Sequence, residues 1–125
     1  MSGITLALVA VGGGIGAALR FVLDGVVRSR WPAPLPLGTL VINVSGSFVL
    51  GVLTGLGGAG FLPSLVVAAL GTGMMGGYTT FSTASVETVQ LIRAGRIWLA
   101  VLNGLGMLVV SVGAAALGLL LGRNS

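Results

Sequence analysis

Cysteine, histidine and lysine are absent from this sequence, and acidic residues nearly so. Without cysteine there are no disulfides and no thiol chemistry; without histidine the commonest transition-metal ligand is missing. Only Asp24 and Glu87 are acidic, against six arginines. The formal charge of +4 and the pI near 11.7 therefore reflect missing acids. A nucleic-acid surface needs a clustered basic patch, and these arginines are scattered along the chain, so that function class is set aside. No nucleophile–base pair, phosphate loop or metal-ligand cluster is legible, which argues against an enzyme.

Charge as a whole is scarce. Charged residues make up 6% of the 125 residues and hydrophobic ones 55%, whereas soluble domains carry about 25% charged residues. A mean hydropathy of +1.14 points the same way. The length suits one domain, 1–125. The composition predicts an all-α membrane protein embedded in a lipid bilayer.

A spanning helix needs roughly 20 mainly apolar residues. Four stretches qualify, at about 4–27, 37–56, 63–92 and 97–121. The first has no basic residue ahead of it and so does not read as a cleaved leader. Pro32, Pro34 and Pro36 connect it to the second, and Gly57, Gly58 and Gly60 turn the second into the third. Trp31 and Trp98 sit at span ends, where interfacial anchors belong.

Glycine is abundant, with 23 residues, most of them inside the apolar stretches. Gly12 and Gly16, Gly51 and Gly55, and Gly118 and Gly122 each lie one helical turn apart. Small residues at that spacing let helix backbones approach closely in lipid. The arginines are biased toward one membrane face. Arg28, Arg30, Arg93 and Arg96 share it, while Arg123 stands alone on the other. The positive-inside rule then predicts both termini outside the cytoplasm.

The third stretch is too long for a plain span, at roughly 45 Å for thirty residues. Its middle reads GGYTTFST over 76–83, where glycine and β-branched threonine weaken the helix. A break at mid-membrane near 76–80 is predicted. Freed backbone groups at that depth must be satisfied by protein or water, so such breaks line sites. The half before it ends in carbonyls that suit a cation; the half after it begins with amides that suit an anion. A glycine kink with hydroxyls bonded back to the helix is the plainer alternative. Asn43 and Ser47 share one face of the second span, either as anion donors or as interhelical glue. Glu87 is an intramembrane acid or an interfacial one. Arg20 either snorkels to the headgroups or lines a vestibule.

Three ordered runs resemble one family: GGGIGAALRF at 12–21, GTLVINVSGSFVLG at 38–51 and GGYTTFST at 76–83. They resemble the small bacterial fluoride channels, the camphor-resistance or CrcB-type proteins. That resemblance implies a passive fluoride-specific channel of the bacterial inner membrane, which lowers cytoplasmic fluoride. It implies an antiparallel dimer with two pores and a structural, untransported Na⁺ at its centre. The carbonyls of Gly76 and Thr79 would hold the Na⁺. Asn43 would be the pore amide, Phe81 a pore phenylalanine, and Ser82 and Thr83 polar lining. Arg20 would be a vestibule charge, and Glu87 matches the family's acid.

The sequence also departs from that pattern. The family motif continues to a second phenylalanine, where this chain has Ala84, and Asn103 and Met107 stand in the fourth span where the family has Tyr and Ser; Ser111 remains. Either a homodimer or a heterodimer with an oppositely oriented paralogue is open. Ala84 and the arginine bias suggest a subunit that needs such a partner. The competing class is a small multidrug-type proton-coupled exporter. It needs a buried carboxylate in its first helix, and here Asp24 comes only at that helix's end.

Overall fold

In the computed structural model, residues 2–31 and 37–124 are described, the side chains of residues 81–83 excepted. The proline connection at 32–36 lies outside the described residues. Five helices follow in order: α1 (Gly3–Arg30), α2 (Leu37–Gly58), α3 (Ser64–Tyr78), α4 (Phe81–Arg93) and α5 (Ile97–Arg123). There is no strand among the described residues. By length and composition, α1, α2 and α5 are able to cross a membrane, and α3 is a shorter apolar helix. The chain is a multi-pass membrane protein.

Helix ends follow local chemistry. Ser2 caps α1 by accepting the Thr5 N–H at 3.1 Å. Arg28 and Arg30 close its last turn, where cations meet the negative end of the helix dipole. Gly60 and Gly95 adopt φ of +86° and +78° after α2 and α4. Each lets the next amide reach back five residues, Phe61 to Leu56 and Arg96 to Leu91, both at 2.9 Å.

Two helix pairs form the body. On α1, a Cβ at Gly12 would stand 2.6 Å from the Ala69 carbonyl of α3, and one at Gly16 would strike the Met74 carbonyl. Between α2 and α5, Gly51 and Gly55 meet the backbone of Ala115 and Leu119, and Gly118 and Gly122 meet Phe48 and Val52. All three glycine pairs singled out by spacing thus serve backbone-to-backbone packing. The pattern of burial is inverted relative to a soluble domain. Phe21 and Trp98 are 80% and 73% exposed, while Thr39, Asn43 and Asn103 are buried. An apolar exterior around a polar, glycine-lined interior suits a lipid solvent.

Three irregularities shape the interior. Residues Ala68–Met75 of α3 and Leu102–Gly106 of α5 are widened into π-helical turns. Between α3 and α4 the helical path stops: Thr79 is extended at φ −77°, ψ 155°, and helix resumes at Phe81.

Candidate ion pathway

The α3–α4 junction frees backbone groups, and Asn43 of α2 takes two of them. Its Oδ1 accepts the Thr80 N–H at 2.8 Å, and its Nδ2 donates to the Thr80 carbonyl at 3.0 Å. Nδ2 also donates to the Met107 Sδ of α5 at 3.2 Å. One carboxamide therefore joins α2, the junction and α5. Thr79 bonds backward, its N–H and hydroxyl both donating to the Met75 carbonyl. Tyr78 is tied to Ser45 through a 2.9 Å hydroxyl pair. Gly46 allows this approach, since a Cβ there would strike Thr79 Cγ2.

Beside this clamp lies a cavity of about 480 Å³ between α2, the junction, α4 and α5. Asn43 and Ser47 line it from α2, Thr79, Thr80, Ala84, Ser85 and Thr88 from the junction and α4, and Asn103, Met107 and Ser111 from α5. Its polar groups are neutral. Asn103 donates to the Thr88 hydroxyl at 2.8 Å, which donates to the Ala84 carbonyl at 2.8 Å. The Ser111 Oγ is shielded and has no partner among the described residues. The rest of the wall is mainly apolar, and a few neutral polar groups in an apolar wall suit a small anion, which needs donors in place of water and must still be able to leave.

The charges lie at one end of this seam. Thr39 precedes Asn43 by one turn on α2 and donates to Glu87 Oε1 at 2.5 Å. Glu87 Oε2 stands 3.5 Å from Arg28 Nη2, and Arg28 Nε contacts Asp24 Oδ2 at 3.1 Å. Glu87 is half-buried, so its carboxylate faces neighbouring helices rather than open solvent.

This arrangement can be compared with known proteins. The family described as "CrcB-like protein, Camphor Resistance (CrcB)" matches residues 7–119. The "Fluoride-specific ion channel FluC 1" of Leifsonia xyli is 53% identical over 122 residues, covering 98% of this chain and 89% of that protein. The "Fluoride-specific ion channel FluC 2" of Cutibacterium acnes is 48% identical over 122 residues, covering 96% and 98%. The "Fluoride-specific ion channel FluC" of Pyrococcus horikoshii is 41% identical over 121 residues, covering 95% and 96%. The chain belongs to the CrcB family.

Within this CrcB chain the residues singled out by sequence divide into groups. Asn43, Ser47 and Thr79 come together at the cavity. Glu87 lies along the same α2–α4 seam, bonded to Thr39. Arg20 is half-buried in α1, its Nε shielded and without a partner among the described residues. The side chains of Phe81, Ser82 and Thr83 lie outside the described residues. Gly76 sits at the end of α3, and the Thr80 amide that an unbroken helix would direct to its carbonyl goes to Asn43 instead. Sequence reasoning missed Thr39, Thr80, Thr88 and Arg28 as partners. Thr39 was within reach, since it lies one turn from Asn43 on the same face.

Proposed function

We propose that this chain is a subunit of a fluoride channel that lets fluoride leave the cell passively across the inner membrane. The observation that carries this reading is the 53% identity, over 98% of the chain, to a protein named as a fluoride-specific ion channel. The physical chemistry agrees with it. Fluoride is small and strongly hydrated, so a pathway must offer closely spaced donors. Ser111, whose hydroxyl has no partner among the described residues, shares the wall of the cavity beside the α3–α4 junction with Asn43 and Ser47. In this reading α3 and α4 are the two halves of a fourth span, interrupted at mid-membrane. Phe81, Ser82 and Thr83, at the start of α4, would be the pore phenylalanine and polar lining that the family resemblance implies, and an aromatic ring edge suits an anion without a formal charge. Arg20 draws anions toward the vestibule.

Two such chains would pack antiparallel, with a structural Na⁺ between their junctions. The residues present fit that ion. The Gly76 carbonyl lacks the Thr80 amide of a regular helix, and the extended Thr79 turns its carbonyl off the helical path. Two oxygens are too few for a cation's ligand set, so a second chain would complete it. When bound, the cation would offset anion repulsion and tie the two junctions together.

Ala84 favours a heterodimer. It lines the cavity with only a methyl group, and an oppositely oriented paralogue would supply the missing aromatic. The multidrug-exporter alternative is disfavoured, because the only acid of α1, Asp24, is paired with Arg28. The deciding experiment is fluoride-electrode efflux from liposomes containing this chain alone or with a paralogous subunit. Efflux above empty liposomes in either case is expected; none in both overturns the channel reading.

A further inference from the structure

The two acids of this chain, far apart in sequence, meet at one arginine. Arg28 Nε lies 3.2 Å from Asp24 Oδ1 and 3.1 Å from Oδ2, and its Nη2 lies 3.5 Å from Glu87 Oε2. Asp24 reaches this position because Gly38 of α2 has no Cβ in its way. Glu87 is held from the other side by the buried Thr39. The cluster therefore joins the end of α1 to the start of α2 and the middle of α4.

Its location gives it a functional consequence. Thr39 and Asn43 share one face of α2, one turn apart. On α4, Ala84 and Thr88, the residues three before and one after Glu87, line the cavity. The Glu87 carboxylate is therefore held between α2 and α4, one turn of α2 from the Asn43 that lines the cavity, and a negative charge there would oppose an approaching anion. The formal charges of Asp24 and Glu87 sum to −2, and that of Arg28 brings the cluster to −1. Arg28 is also the solvent-facing member, with its side chain 61% exposed against 14% for Glu87. The nearest thing an anion meets from water at this end is a guanidinium with the carboxylate behind it.

We infer that Arg28 is a charge-balancing residue for anion flux, masking Glu87 at the Arg28 end of the α2–α4 seam. The inference rests on the fluoride-channel reading. Its role is electrostatic, so it differs from the packing role of a helix-end ion pair.

The test uses full-length channel in liposomes, with whichever subunit composition conducts. Arg28→Gln is expected to lower fluoride efflux by about tenfold at low ionic strength, the lower range of electrostatic steering effects. The deficit should shrink in about 0.5 M salt, which screens exposed charges within a few ångströms. Arg28→Lys, which keeps the charge, should retain most of the flux. Arg28→Gln combined with Glu87→Gln should recover most of what Arg28→Gln loses. Unchanged flux in Arg28→Gln, a salt-independent deficit, or no recovery in the double variant would each overturn the inference while leaving the channel reading standing. Absence of flux from every unsubstituted composition overturns both.

Discussion

Asn43 shows how one side chain reconciles a broken backbone with an apolar solvent. The α3–α4 junction takes the Thr80 N–H off its regular helical partner and leaves both Thr80 backbone groups to be met from outside the helix. The carboxamide meets both, with an acceptor for the amide and a donor for the carbonyl. Asn43→Ala should remove both of these hydrogen bonds, each worth about 0.5–1.5 kcal/mol. The expected result is lower resistance to chemical denaturation together with loss of fluoride flux. Ser111→Ala makes the opposite case. Its hydroxyl has no partner among the described residues, so its removal should change stability by less than about 0.5 kcal/mol. Flux should fall, because Ser111 is one of the few hydroxyl-bearing residues on the cavity wall. Denaturation midpoints and efflux rates on the same two preparations check both outcomes. The sequence made Asn43 visible, since an amide inside an apolar span is conspicuous. It did not disclose Thr80 as its partner: both contacting groups of Thr80 are backbone, and backbone geometry at a junction leaves no mark on residue type. The pairing of Glu87 with Arg28 was hidden for another reason. It depends on how far α1 extends past the bilayer core, which apolar length alone does not fix.

At the scale of helices, glycine is the organising residue, but its importance varies sharply with position. Gly16 and Gly51 lie where a Cβ would collide with the Met74 and Ala115 carbonyls of the neighbouring helix. Backbone cannot swing aside as a side chain does, so Gly16→Val or Gly51→Val should separate the helix pairs. Gly25 and Gly113 have nothing within 4 Å of an added Cβ. Replacing them with Ala should be neutral or stabilising by up to about 1 kcal/mol through helix propensity. Folded yield and monodispersity on size-exclusion chromatography distinguish the two pairs of variants; equal behaviour would contradict this account of the seams. The seams were legible, because glycine repeating every fourth residue has a direct geometric meaning. The π-helical turns in α3 and α5 were not. They shift register without changing hydropathy, and they carry Asn103 and Met107 to buried positions that apolar periodicity does not mark.

For the whole molecule, the arginines are unevenly distributed between the two ends of the helices. The Arg28–Glu87 contact brings the end of α1 beside α4, and Arg93 closes α4 farther along. Arg96 follows within the same turn. Arg123 ends α5, which runs away from that turn. An imbalance of this kind favours a single orientation. A homodimer of antiparallel chains instead requires one sequence to insert both ways in nearly equal numbers. The lack of cysteine makes this testable with a single introduced thiol. Asn124→Cys, in intact cells, should react almost completely with a membrane-impermeant maleimide from outside. Labelling of about half the protein is the dual-orientation result and would remove the argument for an oppositely oriented paralogue. The arginines can then be shown to be the cause. Replacing Arg30, Arg93 and Arg96 with Gln leaves Arg28 and its cluster in place and removes most of the bias. Labelling of Asn124→Cys in that background should fall toward one half. If it does not, hydrophobic matching rather than charge fixes the orientation of this chain.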